Sequence, residues 1–286
     1  MTAIEFGPEW SASLRRGAEA ELQGWVDAAL AWCVETDAIA MRHFRRTSPE
    51  RKPDRTFVTE ADTSIERRLR DRIAAAFPKH GIVGEELGTQ DAKDKAGTRW
   101  YVDPIDGTHN YMRGVPIFAT LLAVERDGEL QAAVISAPAL RMRWGAWRGG
   151  GAWAFSTIGG AAPRRIGVSR IDDLAEGQVL STSAGEIERS GRAPGIRKLL
   201  AAAWRERGFG DFWSYALVAE GAAEAMVEVG LKPWDAAAPS LLVEEAGGRA
   251  TDIDGERTIH GGSFVATNGL LHDRVLGILA GREEPA

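Results

Sequence analysis

The sequence predicts an α/β protein, on three observations. Long helical patterns open the chain and hairpin-linked apolar strands follow them. Beyond about residue 158, strand and helix patterns alternate. Acidic residues recur at the ends of the predicted strands or the starts of the predicted helices, where ligands collect in layered α/β proteins. The length of 286 residues suits one large domain or two closely joined subdomains. An apolar fraction of 44% is enough for a sizeable core. A soft boundary near residue 158 divides the chain into 1–158 and 159–286.

A helical pattern rich in Ala, Leu, Glu and Arg runs from about Ser11 to Arg46. A second helix starts near Ala61, with Asp62 and Thr63 in cap-like positions, and stops before Pro78. Strands follow at Gly81–Val83, Arg99–Val102 and Phe118–Glu125. Asp127-Gly128 is a hairpin signal leading into Leu130–Ile135. A further pair, Trp144–Trp147 and Ala152–Phe155, flanks the triple glycine Gly149–Gly151. After Gly159-Gly160 come strand Val179–Thr182, helices Arg197–Arg207 and Trp213–Gly221, and strand Ala225–Glu228. Helix Asp235–Ala246, strand Ser263–Ala266 and helix Leu270–Leu279 complete the order. Pro239 is an awkward member of that helix, since proline is tolerated in the first turn.

Net charge is −6 with no long basic run, so nucleic acid is not an expected partner. An acidic protein that handles anions needs local positive charge, which bound cations supply. The single cysteine, Cys33, excludes an internal disulfide framework and falls in an apolar helical pattern. No signal-peptide pattern and no membrane-spanning apolar run is seen, so the expectation is a cytoplasmic protein without a membrane partner. There are no internal repeats, and the short tail 281–286 is the one low-complexity segment.

The most informative stretch is Asp103-Pro104-Ile105-Asp106-Gly107-Thr108, which follows the apolar Trp100-Tyr101-Val102. A turn of this kind can aim both carboxylates at one point. Hard divalent cations take such oxygen ligands and bridge to phosphate. Gly107 and Thr108 add backbone N–H groups at an expected helix start, a phosphate-binding arrangement. Taken alone, the hexapeptide reads equally as an acidic turn with an Asp cap. Val83-Gly84-Glu85-Glu86 upstream and Lys232-Pro233-Trp234-Asp235 downstream add acids at further element ends.

With its Gly-Glu-Glu, D-P-I-D-G-T and late W-D-x-A segments in order, nearly the whole chain resembles the inositol monophosphatase family. The resemblance implies a layered α/β/α/β/α sandwich of the inositol monophosphatase and sugar phosphatase type, with the active site between the halves. It implies a phosphomonoesterase using two to three Mg²⁺ per chain, with Mn²⁺ as the other candidate, and a homodimer. Glu85, Asp103 and the Ile105 carbonyl would hold one ion, and Asp103, Asp106 and Asp235 a second. Glu85 would also face a third, weaker site. Asp62 and Thr108 would polarise the attacking water, and Gly107, Thr108 and Asp235 would meet the substrate. Asp62 also reads as a helix N-cap. Lys52 matches the family's lysine near the third ion, but the spacing to Asp62 is one residue short and a surface lysine is the favoured reading.

Substrate choice points to Gly210-Asp211-Phe212-Trp213-Ser214-Tyr215. This block resembles that of bacterial histidinol-phosphate phosphatases of the same family, enzymes of histidine biosynthesis. A substrate carrying an ammonium and an imidazole gains from acids and aromatic faces. Asp211 and Glu228 are therefore the expected substrate contacts, although Asp211 also reads as a cap for the helix near Trp213. The alternatives are an inositol-1-monophosphatase, a sugar or nucleotide phosphatase, and a non-catalytic metal-stabilised module. The sugar bisphosphate reading lacks a clear basic cluster beyond Arg113, Arg141 and Arg143. The five histidines show no metal-ligand spacing.

Overall fold

The computed structural model describes residues 18–46, 48–53, 56–158 and 162–282. The expected helical start at Ser11, the Gly159-Gly160 break and most of the 281–286 tail lie outside the described residues. The chain divides into two compact units, Met1–Arg165 and Ile166–Ala286.

In the first unit, α1 (Ala18–His43) places Leu22, Trp25, Val26, Ala29, Leu30 and Cys33 on one buried stripe. Helix α2 (Glu60–Ala76) does the same with Ile65, Leu69 and Ile73, the four-residue spacing of a helix face. Strands β1 (Glu50–Arg51) and β2 (Phe57–Val58) form a small antiparallel ribbon between them in sequence. The main sheet has eight strands, first β3 (Gly81–Gly84), β4 (Gly88–Gln90) and β5 (Arg99–Asp106). It continues through β6 (Ala119–Arg126), β7 (Glu129–Ala137), β8 (Met142–Trp147), β9 (Gly151–Ser156) and β10 (Arg164–Ile166). Their spatial order is β10-β9-β8-β7-β6-β5-β3-β4. The two helices share a core with Trp100, Val102, Leu122, Val124 and Val134. Trp100 pairs with Val124 and Val102 with Leu122, so alternate residues carry the helix-facing side of the sheet. The Asp127-Gly128 turn has both residues at positive φ, 54° and 79°, as a two-residue hairpin with the strand twist requires.

Cys33 is fully buried, and burial beside Asp37 pushes its thiol up to about 12. Asp37 in turn pairs with the buried Arg143 at 2.6 Å and accepts from Ser136 at 2.8 Å. Arg143 is thus committed to the core of the first unit.

In the second unit, a five-stranded mixed sheet runs β12-β11-β13-β15-β14. Its strands are β11 (Gln178–Ser181), β12 (Arg205–Arg207), β13 (Ala225–Val229), β14 (Arg249–Thr251) and β15 (Ser263–Thr267). Val179, Val227 and Val265 face a core built with α4 (Ala184–Arg189), α5 (Ala193–Ala202) and α8 (His272–Leu279). Residues one position on point the other way. There Phe264 packs at a tilt against Tyr215 of α6 (Asp211–Ala219), with ring centroids 4.9 Å apart. Helix α7 (Pro233–Glu245) follows β13 in sequence.

Several elements differ from the sequence expectation. The expected helix Arg197–Arg207 ends at Ala202, and Arg205–Arg207 instead pairs in parallel with β11. Trp204 to Arg207 lacks a helical apolar stripe, and main-chain pairing at a sheet edge is available to any side chains. Helix α4 and strand β14 were too short to register as periodic segments. Pro239 sits inside α7, beyond the first turn, where it withholds an N–H from the Asp235 carbonyl. His272, the first residue of α8, is wholly buried, its ring nitrogens 3.1 Å from Thr251 Oγ1 and 3.0 Å from Thr267 Oγ1. Its burial lowers the imidazole to about 4. No helix among the described residues is long and apolar enough to cross a membrane.

Candidate active site

Strand β5 does not stop at Val102, as the sequence suggested, but runs on through Asp106. Its ladder with β6 explains how two acids three residues apart come to act together. Asp103 lies opposite Leu121 and Asp106 opposite Ala119, with a bulge between them. In a regular strand, residues three apart face opposite sides. Here three steps on β5 match two on β6, so the extra residue returns Asp106 to the face of Asp103. The carboxylate oxygens of the pair lie within 4.8 Å of one another. Thr120 Oγ1 donates to the Pro104 carbonyl at 2.8 Å, which satisfies the bulge from the neighbouring strand. Asp103 and Ile105 are buried and Asp106 is half-buried.

The chain leaves the strand through Gly107 at φ 80°, a conformation costly to any side chain, and enters the short helix α3 (Thr108–Met112). Thr108 Oγ1 donates to the Ile105 carbonyl at 3.0 Å, which leaves its oxygen lone pairs to accept.

Asp62 is not the N-cap but the third residue of α2, and Thr59 is the cap. Asp62 Oδ2 accepts from the Thr59 amide at 2.7 Å and from Thr59 Oγ1 at 2.6 Å. Thr59 Oγ1 accepts from the Ala61 amide at 3.2 Å, which completes a capping box. One carboxylate oxygen is consumed by the helix start. The other, Oδ1, is buried without a hydrogen-bond partner among the described residues. Burial, offset by the Thr59 bonds and reinforced by Glu85, raises Asp62 to about 6. Such a group suits a proton acceptor working near neutrality.

Lys52 corrects the surface reading. Its ammonium contacts Glu85 Oε1 at 3.0 Å and Glu86 Oε1 at 2.6 Å, and its side chain is only 17% exposed. Glu86 is raised to about 7, mainly by burial. The Glu85 amide extends the parallel β3–β5 pairing by bonding the Val102 carbonyl at 3.2 Å. Tyr111 OH donates to the Ala40 carbonyl at 2.7 Å, and burial near Asp62 holds its phenol well above the usual range.

A divalent cation fits this unit. The donors are carboxylate, hydroxyl and carbonyl oxygens, the ligand class of Mg²⁺. Two neighbouring carboxylates on one strand face and a buried carboxylate oxygen with no protein donor both gain from positive charge.

The second unit carries a separate acid cluster. Glu228 follows Met226 on the face of β13 that meets α6, and Tyr215 OH donates to its carboxylate. Full burial raises Glu228 to about 8, with Asp211, Asp235 and Glu186 pushing the same way. Asp211 is the first residue of α6, and Gly210 rather than Asp211 occupies the cap position. Asp211 adopts φ 53°, a left-handed conformation uncommon outside glycine, Asn and Asp. Asp235 is the third residue of α7, and its Oδ2 accepts from the Lys232 amide at 2.7 Å. Trp234, beside Asp235, is half-buried.

Sequence reasoning missed Glu66 and the Tyr215–Glu228 bond. Glu66 could have been flagged as a lone acid among the core positions of α2, between Ile65 and Leu69. Nothing local announces that Tyr215 reaches Glu228, because the two lie on different elements.

The sequence model for the inositol monophosphatase family matches residues 21–283. A histidinol-phosphatase of Mycobacterium tuberculosis is 46% identical over 79% of this chain and 85% of its own length. A histidinol-phosphatase of Streptomyces coelicolor is 41% identical over 85% of this chain and 92% of its own length. Among solved structures, the extragenic suppressor protein suhB from Bartonella henselae aligns with a TM-score of 0.80 at 27% identity, covering 90% of this chain and 98% of that one. The layered α/β arrangement is therefore that of these proteins, and the chain belongs to the inositol monophosphatase family.

Proposed function

We propose that the protein is a metal-dependent phosphatase that hydrolyses histidinol phosphate, with Mg²⁺ as the working ion and histidine biosynthesis as its place. The phosphatase activity on small phosphate monoesters follows from family membership. The choice of ester is carried by the second unit, where Asp211 and Glu228 are electrostatically coupled beside Tyr215. An ammonium group set among these acids lowers the cost of the Glu228 carboxylate, which burial otherwise keeps protonated. A neutral polyol offers no such compensation. The identities to two histidinol-phosphatases support the same choice.

In this reading Glu85, Asp103, Asp106, Asp235 and the Ile105 carbonyl hold the ions, two or three in number. When bound, such cations neutralise phosphoryl charge, acidify a water and stabilise the leaving oxygen. Thr108, whose proton is committed to the Ile105 carbonyl, accepts a hydrogen bond from the attacking water. Asp62 receives the proton on Oδ1, since Oδ2 is engaged at the helix start. Gly107 and Thr108 amides orient the phosphate, and Asp211 and Glu228 bind the cationic end.

The test is a substrate panel on one preparation. Chelator-treated protein should be inactive and regain turnover with Mg²⁺ or Mn²⁺. Reactivated protein should show a higher kcat/KM for histidinol phosphate than for inositol phosphate or fructose bisphosphate. Preference for inositol phosphate would overturn the choice of ester, and full turnover in chelator with no bound metal would overturn the mechanism.

A further inference from the structure

We propose that Glu66 is a positioning residue that sets the metal affinity of Glu85 by clamping the backbone behind it; this rests on the metal-dependent reading above. Glu66 lies on α2, is completely buried, and faces the turn that follows β3. Its Oε2 accepts from the Glu86 amide at 2.7 Å and its Oε1 from the Leu87 amide at 3.1 Å. The two amides that immediately follow Glu85 are therefore fixed by one carboxylate from another element.

The clamp is itself braced. Arg70, one helical turn on, donates Nε to Glu66 Oε1 at 2.9 Å, and its Nη2 lies 2.8 Å from the same oxygen. Nη2 also donates to the Gly88 carbonyl, so the guanidinium ties the carboxylate to the far side of the turn. A buried carboxylate costs stability unless its lone pairs are filled, and here two amides and a guanidinium fill them. Gly84 shows how closely the parts fit. A Cβ at that position would lie 2.0 Å from Glu66 Oε1, so any side chain at residue 84 displaces the clamp.

The direction in which Glu85 points is thus set from two sides. Lys52 holds its carboxylate end, and Glu66 holds the main chain that leaves its Cα. Partners that orient a metal ligand typically change affinity about 10- to 100-fold when removed. Glu66→Gln leaves only one acceptor oxygen for two amides and turns an NH2 group toward donors.

Direct Mn²⁺ binding to the metal-free full chain, followed by electron paramagnetic resonance, reads this without turnover. Glu66→Gln should bind Mn²⁺ at least about tenfold more weakly than the parent. Gly84→Ala should show a loss of similar size with the Glu66 side chain chemically intact, and decides the matter if Glu66→Gln does not fold. Leu69→Ala, a core truncation on the same helix, should lower the melting temperature and leave Mn²⁺ affinity within twofold. Parent-like affinity in folded Glu66→Gln or in Gly84→Ala would overturn the proposal, as would an equal loss in Leu69→Ala. A parent that binds no Mn²⁺ would instead overturn the metal-dependent reading, and the role of Glu66 with it.

Discussion

The starts of α2 and α7 use one device for two different acids. In each, an aspartate at the third helical position turns Oδ2 back to the amide of the cap residue, Thr59 for Asp62 and Lys232 for Asp235. The surroundings differ. Thr59 adds a hydroxyl that donates to Asp62 and accepts from Ala61, while Lys232 contributes its backbone and is followed by Pro233 at the first helical position. Asp62 is wholly buried near Glu85, and Asp235 is half-buried. Burial has raised one carboxyl toward neutrality, to about 6, while the other remains at a partly open helix start. The same local motif therefore presents two carboxylates in different surroundings, and the tertiary environment sets them apart.

Asp62→Asn provides the largest break in this comparison. It keeps the cap acceptor and removes the proton acceptor, so kcat should fall by about 10²–10⁴-fold with Mn²⁺ affinity little changed. Asp235→Asn should do the reverse, raising the Mg²⁺ requirement steeply and leaving turnover well below the parent even at saturating Mg²⁺. Kinetics and Mn²⁺ binding on both variants check the pair, and interchangeable profiles would erase the distinction.

A third acid at a helix start, Asp211, sharpens the contrast because it is the first helical residue, one place past the cap Gly210. Asp211→Asn preserves a residue tolerant of the left-handed backbone, so the loss is one of charge. A hydrogen bond to a charged group contributes roughly 1.5–3 kcal/mol, so kcat/KM for histidinol phosphate should drop about ten- to a hundredfold. The drop for an aryl phosphate should be far smaller. Equal losses on both substrates would make Asp211 a structural residue.

Burial of Asp62 also has a stability signature in metal-free protein. The folded carboxyl, raised from 3.8 to about 6, binds its proton more tightly than the unfolded one. Its contribution is therefore complete below pH 3.8 and is lost as pH rises through 6, by about 3 kcal/mol. Denaturant unfolding from pH 4 to 7 should show this decline in the parent relative to Asp62→Asn, and parallel curves would contradict it. The smallest effect separates the two caps. Thr59→Ala should cost about 1 kcal/mol and raise Asp62 further, moving the acid limb of activity to higher pH. Lys232→Ala, which keeps the bonded amide, should stay within about 0.5 kcal/mol of the parent. Urea melts of the two variants give the comparison.

By itself the sequence determined the family, the α/β class and the acids of the candidate site, because motif identity and apolar periodicity are local properties. Glu85, Asp103, Asp106 and Asp235 were legible as candidate cation ligands, and Asp127-Gly128 as a hairpin turn. Tertiary structure decided the rest. Asp103 and Asp106 share a face through a bulge whose existence depends on the register with Leu121 and Ala119. Lys52 left the surface because Glu85 and Glu86 receive it, and Glu66 became a clamp because α2 lies against the turn after β3. Tyr215 found Glu228 across a helix and a strand. Hydrogen bonds and burial between elements distant in sequence leave no periodic or compositional trace, so the sequence supplied the chemical groups and the packing supplied their protonation, orientation and partners.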